Sequence, residues 1–286
     1  MSALDLLFQF ADSFAFLVLC ATGLAIVFGM MGIINLAHGE FIMVGAYITA
    51  FTTHAGVSLP IAIVLGAIGT GVLGLILERL LIRHLYGRPF DSIVATWAIS
   101  LIASQGMLVV AGPTMPSTGT PWGSVNVGGV SFAAYRLVFL AAAIGELVAL
   151  YCLFMYTRFG IYARATIERP EMARALGLDT NIVYAATFSL GAALAGLTGA
   201  LYAPTMTLVP TMGTGFVVQA FVTVVVGGGD VLLGTAPASA MLGFVQTWLT
   251  ASYGTMIGKL GLLIAVILVV RAMPKGISGW INQRRS

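Results

Sequence analysis

Charge is the scarcest ingredient of this sequence. Only 8% of its 286 residues are Asp, Glu, Lys or Arg, while 59% are hydrophobic. Soluble domains carry about one-quarter charged residues, so an ordinary soluble domain is excluded. Several apolar runs of about 20 residues remain, enough for helices that cross a bilayer. The runs do not alternate, which excludes a transmembrane β-barrel. Lysine is rarer still: Lys259 precedes Leu and Lys275 precedes Gly. A Walker A loop needs Lys followed by Ser or Thr, so the chain cannot bind ATP by that loop. The two cysteines, Cys20 and Cys152, fall inside apolar runs and read as small hydrophobes, with no disulfide or metal framework. The N-terminus holds Asp5 and Asp12 but no Lys or Arg. It lacks the basic region of a cleaved signal peptide and is expected to be retained. The net charge of +3 sits at the ends of apolar runs and does not indicate a nucleic-acid partner.

What is present is an all-α polytopic membrane protein with about eight or nine transmembrane helices, a single domain over residues 1–286. The 35 glycines point to close helix packing and broken helices. Residues 1–12 are mildly amphipathic and could lie along the membrane interface. Spans follow at about 14–34, 41–51, 59–81, 92–111, 137–156, 182–203, 216–226, 231–249 and 257–270. Eleven of the 13 basic residues fall at 79–88, 158–174 and 271–285. The positive-inside rule makes those three places cytoplasmic, the C-terminus included, and puts the uncharged segment 112–133 outside. Arg136 and Lys259 are the exceptions, near outer ends of spans where they can snorkel.

The longest charged stretch is the loop at about 158–180, with Arg158, Arg164, Arg169 and Arg174. It holds the signature of a short helix. Pro170 suits a first helical position, Glu171 the positive N-terminal end and Gly177 the stop. Met172, Leu176 and Leu178 give it a partly hydrophobic side. Such a knob would serve a partner on one side of the bilayer; a solvated connecting loop is the plainer alternative.

Two polar breaks interrupt the apolar runs. In the first, Asn35, His38 and Glu40 lie among Gly29, Gly32 and Gly39. Unwound backbone at membrane depth requires surrounding protein or a water-filled cavity, and ionisable residues there often mark a pathway. The competing reading has Asn35 and His38 hydrogen-bonding backbone at a helix break. The second break is Gly227-Gly-Gly-Asp230; paired interruptions suggest an internal repeat and a shared substrate route. Glu146 stands alone near the middle of its span, either a protonated interior acid or a substrate ligand.

The stretch Gly23-Leu-Ala-Ile-Val-Phe-Gly-Met-Met-Gly-Ile-Ile-Asn-Leu-Ala-His-Gly-Glu-Phe-Ile-Met-Val-Gly-Ala-Tyr47 resembles the N-terminal signature of LivH-type permeases of branched-chain amino acid ABC importers. Pro170-Glu-Met-Ala-Arg-Ala-Leu-Gly-Leu178, followed by Thr187 to Leu201, resembles that family's coupling region and next span. The resemblance covers nearly the whole chain. It implies an importer permease domain in a bacterial inner membrane, with Arg169, Glu171, Met172, Ala173, Leu176 and Gly177 seated on an ATPase. It implies a second LivM-type permease, two cytoplasmic ATP-binding subunits that hold ATP and Mg, surrounding membrane lipid and a periplasmic substrate-binding protein docked on 112–133 and 204–215. No cofactor is expected in this chain itself. Asn35, His38, Glu40, Glu146 and Asp230 are the candidate pathway residues. The sequence departs from the family pattern at 227–234 and at Glu146. The same branch includes urea and short-chain amide permeases. The alternatives are a sugar-type ABC permease, or an ion-coupled transporter or channel using Glu40, Glu146 and Asp230 as a relay.

Overall fold

The computed structural model describes residues 3–127, 130–274 and 276–283. Its helices are α1 (Ala3–Met31), α2 (His38–His54), α3 (Leu59–Leu80), α4 (Pro89–Ala111), α5 (Tyr135–Tyr156), α6 (Arg158–Glu168), α7 (Pro170–Ala175), α8 (Thr180–Tyr202), α9 (Met212–Gly227), α10 (Ala236–Tyr253), α11 (Thr255–Ala272) and α12 (Gly276–Gln283). A small antiparallel hairpin, β1 (Ser124–Val127) with β2 (Val130–Ala133), precedes α5. Among the described residues, six helices are long and apolar enough to cross a membrane: α1, α3, α4, α5, α8 and the stretch Thr255–Gly279. The helix α9 is apolar but shorter.

The first helix differs from the sequence expectation. Residues 3–12 are not a separate interfacial piece but the opening turns of α1, which runs unbroken to Met31. No proline falls in the helix, so nothing local ends it before the break. Between Leu17 and Val27 every residue is buried, as expected of a helix that is apolar all round.

The chain forms two compact units. The second comprises residues 26–119 and 149–218, and its centre is α2, α3 and α8 packed on one another. Lipid-soluble helices gain little from burying apolar surface, so close van der Waals approach must hold them. Small residues provide it. A Cβ at Gly45 would collide with the Gly196 backbone, one at Gly199 with the Ile42 carbonyl, and one at Gly74 with Ala192. Several hydroxyls in these helices are satisfied by backbone carbonyls. Thr49 donates to Gly45 O at 2.9 Å, Thr70 to Gly66 O at 2.7 Å, and Ser189 across to Gly71 O at 2.8 Å.

The first unit comprises residues 1–25, 120–148 and 219–286. Its core gathers Leu17, Val226, Ala238, Leu242 and Leu262, with Val222, Val266 and Ile277 against them. After α9 the chain makes a π-helical turn, Val231–Thr235, before α10.

Candidate functional site

The first polar break is a built structure. Between Met31 and His38 the helix is interrupted. Asn35 is buried, and its Oδ1 accepts from the Ala37 amide at 3.1 Å, turning the chain into α2. Two hydroxyls one turn apart on α4 clasp the break. Thr96 Oγ1 accepts from the Leu36 amide at 3.1 Å, and Ser100 donates to Glu40 Oε1 at 2.9 Å. Glu40 sits in the first turn of α2, where the helix dipole favours an acid. Its second oxygen, Oε2, is buried without a hydrogen-bond partner among the described residues. That oxygen lies over Gly213 in the first turn of α9; a Cβ there would come within 2.8 Å of it. The approach is mutual, since a Cβ at Gly39 would collide with the Gly213 carbonyl. His38, the first residue of α2, is likewise buried. So Asn35, His38 and Glu40 stand together in the second unit, with Thr96, Ser100 and Gly213 as neighbours that the sequence reading did not name. A signal existed: Ser92, Thr96, Ser100 and Ser104 recur every fourth residue of α4, a hydroxyl stripe along one helical face.

Glu146 and Asp230 belong to the first unit, each with a local partner. Glu146 is buried, and Thr22 of α1 donates its hydroxyl to Glu146 Oε1. Asp230 is half-buried and caps the turn after the second break: its Oδ1 accepts from the Leu233 amide at 2.9 Å. There Gly227 and Gly234 touch backbone to backbone, and Gly276, at the start of α12, reaches Gly228.

The arginine loop folds into two helices, α6 and α7, hinged at Arg169. Pro170 opens α7 and Glu171 lies in its first turn. Gly177, at φ +85°, closes it. The Gly177 amide donates to Arg174 O at 2.9 Å and that of Leu178 to Ala173 O at 3.0 Å, the paired bonds of a Schellman cap. Ala173 faces inward at 4% exposure, whereas Met172 and Leu176 stand out at 57% and 86%.

The helix α8 separates this element from the stretches around Met115 and Leu208. Both α6 and α7 contact α8, and α7 lies just before its first turn. The basic loop 82–88 is tied to the same end. The rings of Tyr86 and Tyr184 meet edge to face at 5.0 Å, and the Tyr86 hydroxyl donates to the buried Glu78 carboxylate. Burial, then the adjacent Glu78, raises the Tyr86 phenol well above its usual value. Past the other end of α8, Leu208 and Met115 exchange both backbone hydrogen bonds, each at 2.9 Å. The stretches around Met115 and Leu208 are therefore joined. With 23 residues, α8 is about 34 Å long, close to the roughly 30 Å of a bilayer core.

The family model described as "branched-chain amino acid transport system / permease component" matches residues 6–272. The chain belongs to that permease family. It is a multi-pass membrane transport subunit rather than an enzyme. Relatives include the probable branched-chain amino acid transport permease LivH of Methanocaldococcus jannaschii, 28% identical over 94% of this chain and 91% of that one. The high-affinity LivH permease of Salmonella typhimurium is 28% identical over 91% and 90%. The BraD permease of Pseudomonas aeruginosa is 28% identical over 91% of both chains. No solved structure matches.

Proposed function

We propose that the chain is the transmembrane permease of an ATP-driven importer for branched-chain amino acids or related small amino acids and amides such as urea. The observation that carries this is a pair of exposed features at opposite ends of α8, which we read as two docking surfaces. At one end α7 holds Met172 and Leu176 out of a capped six-residue helix. At the other, the Met115–Leu208 bridge joins two loops into one platform. A channel or ion-coupled transporter has no need of the first.

In this reading separate ATP-binding subunits, which hold ATP and Mg, seat α7 together with Arg169, Glu171, Ala173 and Gly177. Closure of the ATPase pair pushes α7, and the push reaches α8 directly. The arginine-rich loops and the C-terminus face the cytoplasm of a bacterial inner membrane, and the bridged loops receive a periplasmic binding protein. The break at Asn35, His38 and Glu40 lines the route. Its polar groups are few and most are already bonded, which suits a permease whose binding protein supplies most of the selectivity. The LivH and BraD relatives, named for branched-chain amino acids, favour leucine-like cargo.

Uptake of labelled leucine and labelled urea into proteoliposomes tests this, using the chain with its candidate second permease, ATPases and binding protein, with and without internal ATP. ATP-dependent uptake of one compound supports the reading. Uptake by this chain alone, driven by an ion gradient, overturns it.

A further inference from the structure

The first unit contains a groove that holds none of the proposed pathway residues. It has a volume of about 380 Å³ and lies between the opening turns of α1 and α5. Phe10, Phe14, Leu137 and Leu140 form much of its apolar wall. Two charged residues interrupt that wall, Asp12 on α1 and Arg136 on α5. Their side chains are 32% and 51% exposed, with Arg136 NH1 3.5 Å from Asp12 Oδ2. A charge-assisted hydrogen bond is about 2.7–2.9 Å, so this pair is loose and neither partner is saturated.

The surroundings place the pair at the edge of the membrane. Thr247 Oγ1 of α10 donates to Ser13 Oγ at 3.0 Å, and the next residue, Trp248, lines a groove with Leu7 and Phe10 of α1. Trp122 stands 6.5 Å from Tyr135, the residue before Arg136. Both tryptophans are more than half exposed. Exposed tryptophans collect at the headgroup level of a bilayer. An apolar groove opening at that level, with one fixed charge of each sign at its mouth, matches an amphiphile with the same two charges.

We propose that this groove binds one phospholipid with a phosphoethanolamine headgroup. The phosphate lies on the Arg136 guanidinium, whose planar donors suit phosphate oxygens, and the ammonium lies on the Asp12 carboxylate. An acyl chain follows Phe14, Leu137 and Leu140. Phosphatidylglycerol would bring the same phosphate to Arg136 but has no ammonium for the Asp12 carboxylate. Phosphatidylcholine has no N–H to donate to the carboxylate.

Native mass spectrometry tests this on the full chain, extracted from membranes with its bound subunits, stripped of lipid and titrated with each of the three phospholipids. One phosphatidylethanolamine should be retained per chain, at least about tenfold more tightly than the other two, as loss of one charge-assisted hydrogen bond implies. Equal retention of all three, or a preference for phosphatidylglycerol, overturns the proposal without recourse to any variant. The double substitution Asp12→Ala with Arg136→Ala should abolish the preference. Leu137→Trp, which fills the groove and keeps the pair, should lower retention of phosphatidylethanolamine itself. Unchanged binding in both variants, or cross-linking of a protein rather than a lipid from a photoreactive residue at 137, also overturns it.

Discussion

Leu176→Ser separates folding from docking. In this chain Leu176 is the C-cap of α7 and 86% exposed, so its side chain contributes little to the permease alone. Exposed substitutions of this kind change stability by within about 0.5 kcal/mol. Neither of the α7 capping bonds uses the Leu176 side chain; they run from the amides of Gly177 and Leu178. If an ATP-binding subunit covers α7, the leucine becomes buried there. Burying a leucine contributes about 1.5–3 kcal/mol, so its loss should weaken assembly roughly thirtyfold, at about 1.4 kcal/mol per factor of ten. The assay is titration of purified ATPase onto detergent-solubilised permease, alongside ATP-driven uptake and thermal unfolding of the permease alone. The expected result is unchanged unfolding, weaker binding and reduced uptake. Unchanged binding and uptake would refute the docking role of α7. Met172→Ser, half-exposed on the same element, should act in the same direction and less strongly.

Gly177→Pro removes a bonded amide at φ +85°, a conformation proline cannot adopt; ATP hydrolysis and uptake should uncouple while the protein still reaches the membrane. Tyr86→Phe leaves the buried Glu78 carboxylate without its donor, a cost of about 1–3 kcal/mol, measurable as a lower unfolding temperature that Glu78→Leu should partly restore. Thr22→Val acts similarly on Glu146, by about the same amount, and Thr22→Ser should retain the bond. Cysteines at 38 and 40 should react with a small polar thiol reagent in a substrate-dependent way; inertness in every state would make the first break purely structural. Gly199→Leu should abolish the packing of α2 on α8, whereas Gly106→Ala, with open space beside it, should be silent in the same unfolding assay.

The apolar runs, the short helix α7 and the existence of the first break were legible in the sequence because each has a local cause. Scarce charge forces burial in lipid. Proline starts α7, and Gly177 ends it because its backbone requires positive φ. The stretch from Gly23 to Tyr47 resembles the family's N-terminal signature through its residues alone. Local pattern misjudged α1, because an amphipathic opening turn and a membrane span are continuous when no breaker separates them. It also missed α6, whose charged residues obscure an ordinary helix. What local pattern could not give is which distant groups meet. Ser100 reaches Glu40 across 60 residues, Thr22 reaches Glu146 across 124, and Leu208 pairs with Met115. Each of these pairs satisfies polar groups in apolar surroundings, where water cannot. Only the packing of whole helices decides which partner is within reach, and it brings Ser100 and Gly213 to Glu40 while Glu146 turns to Thr22.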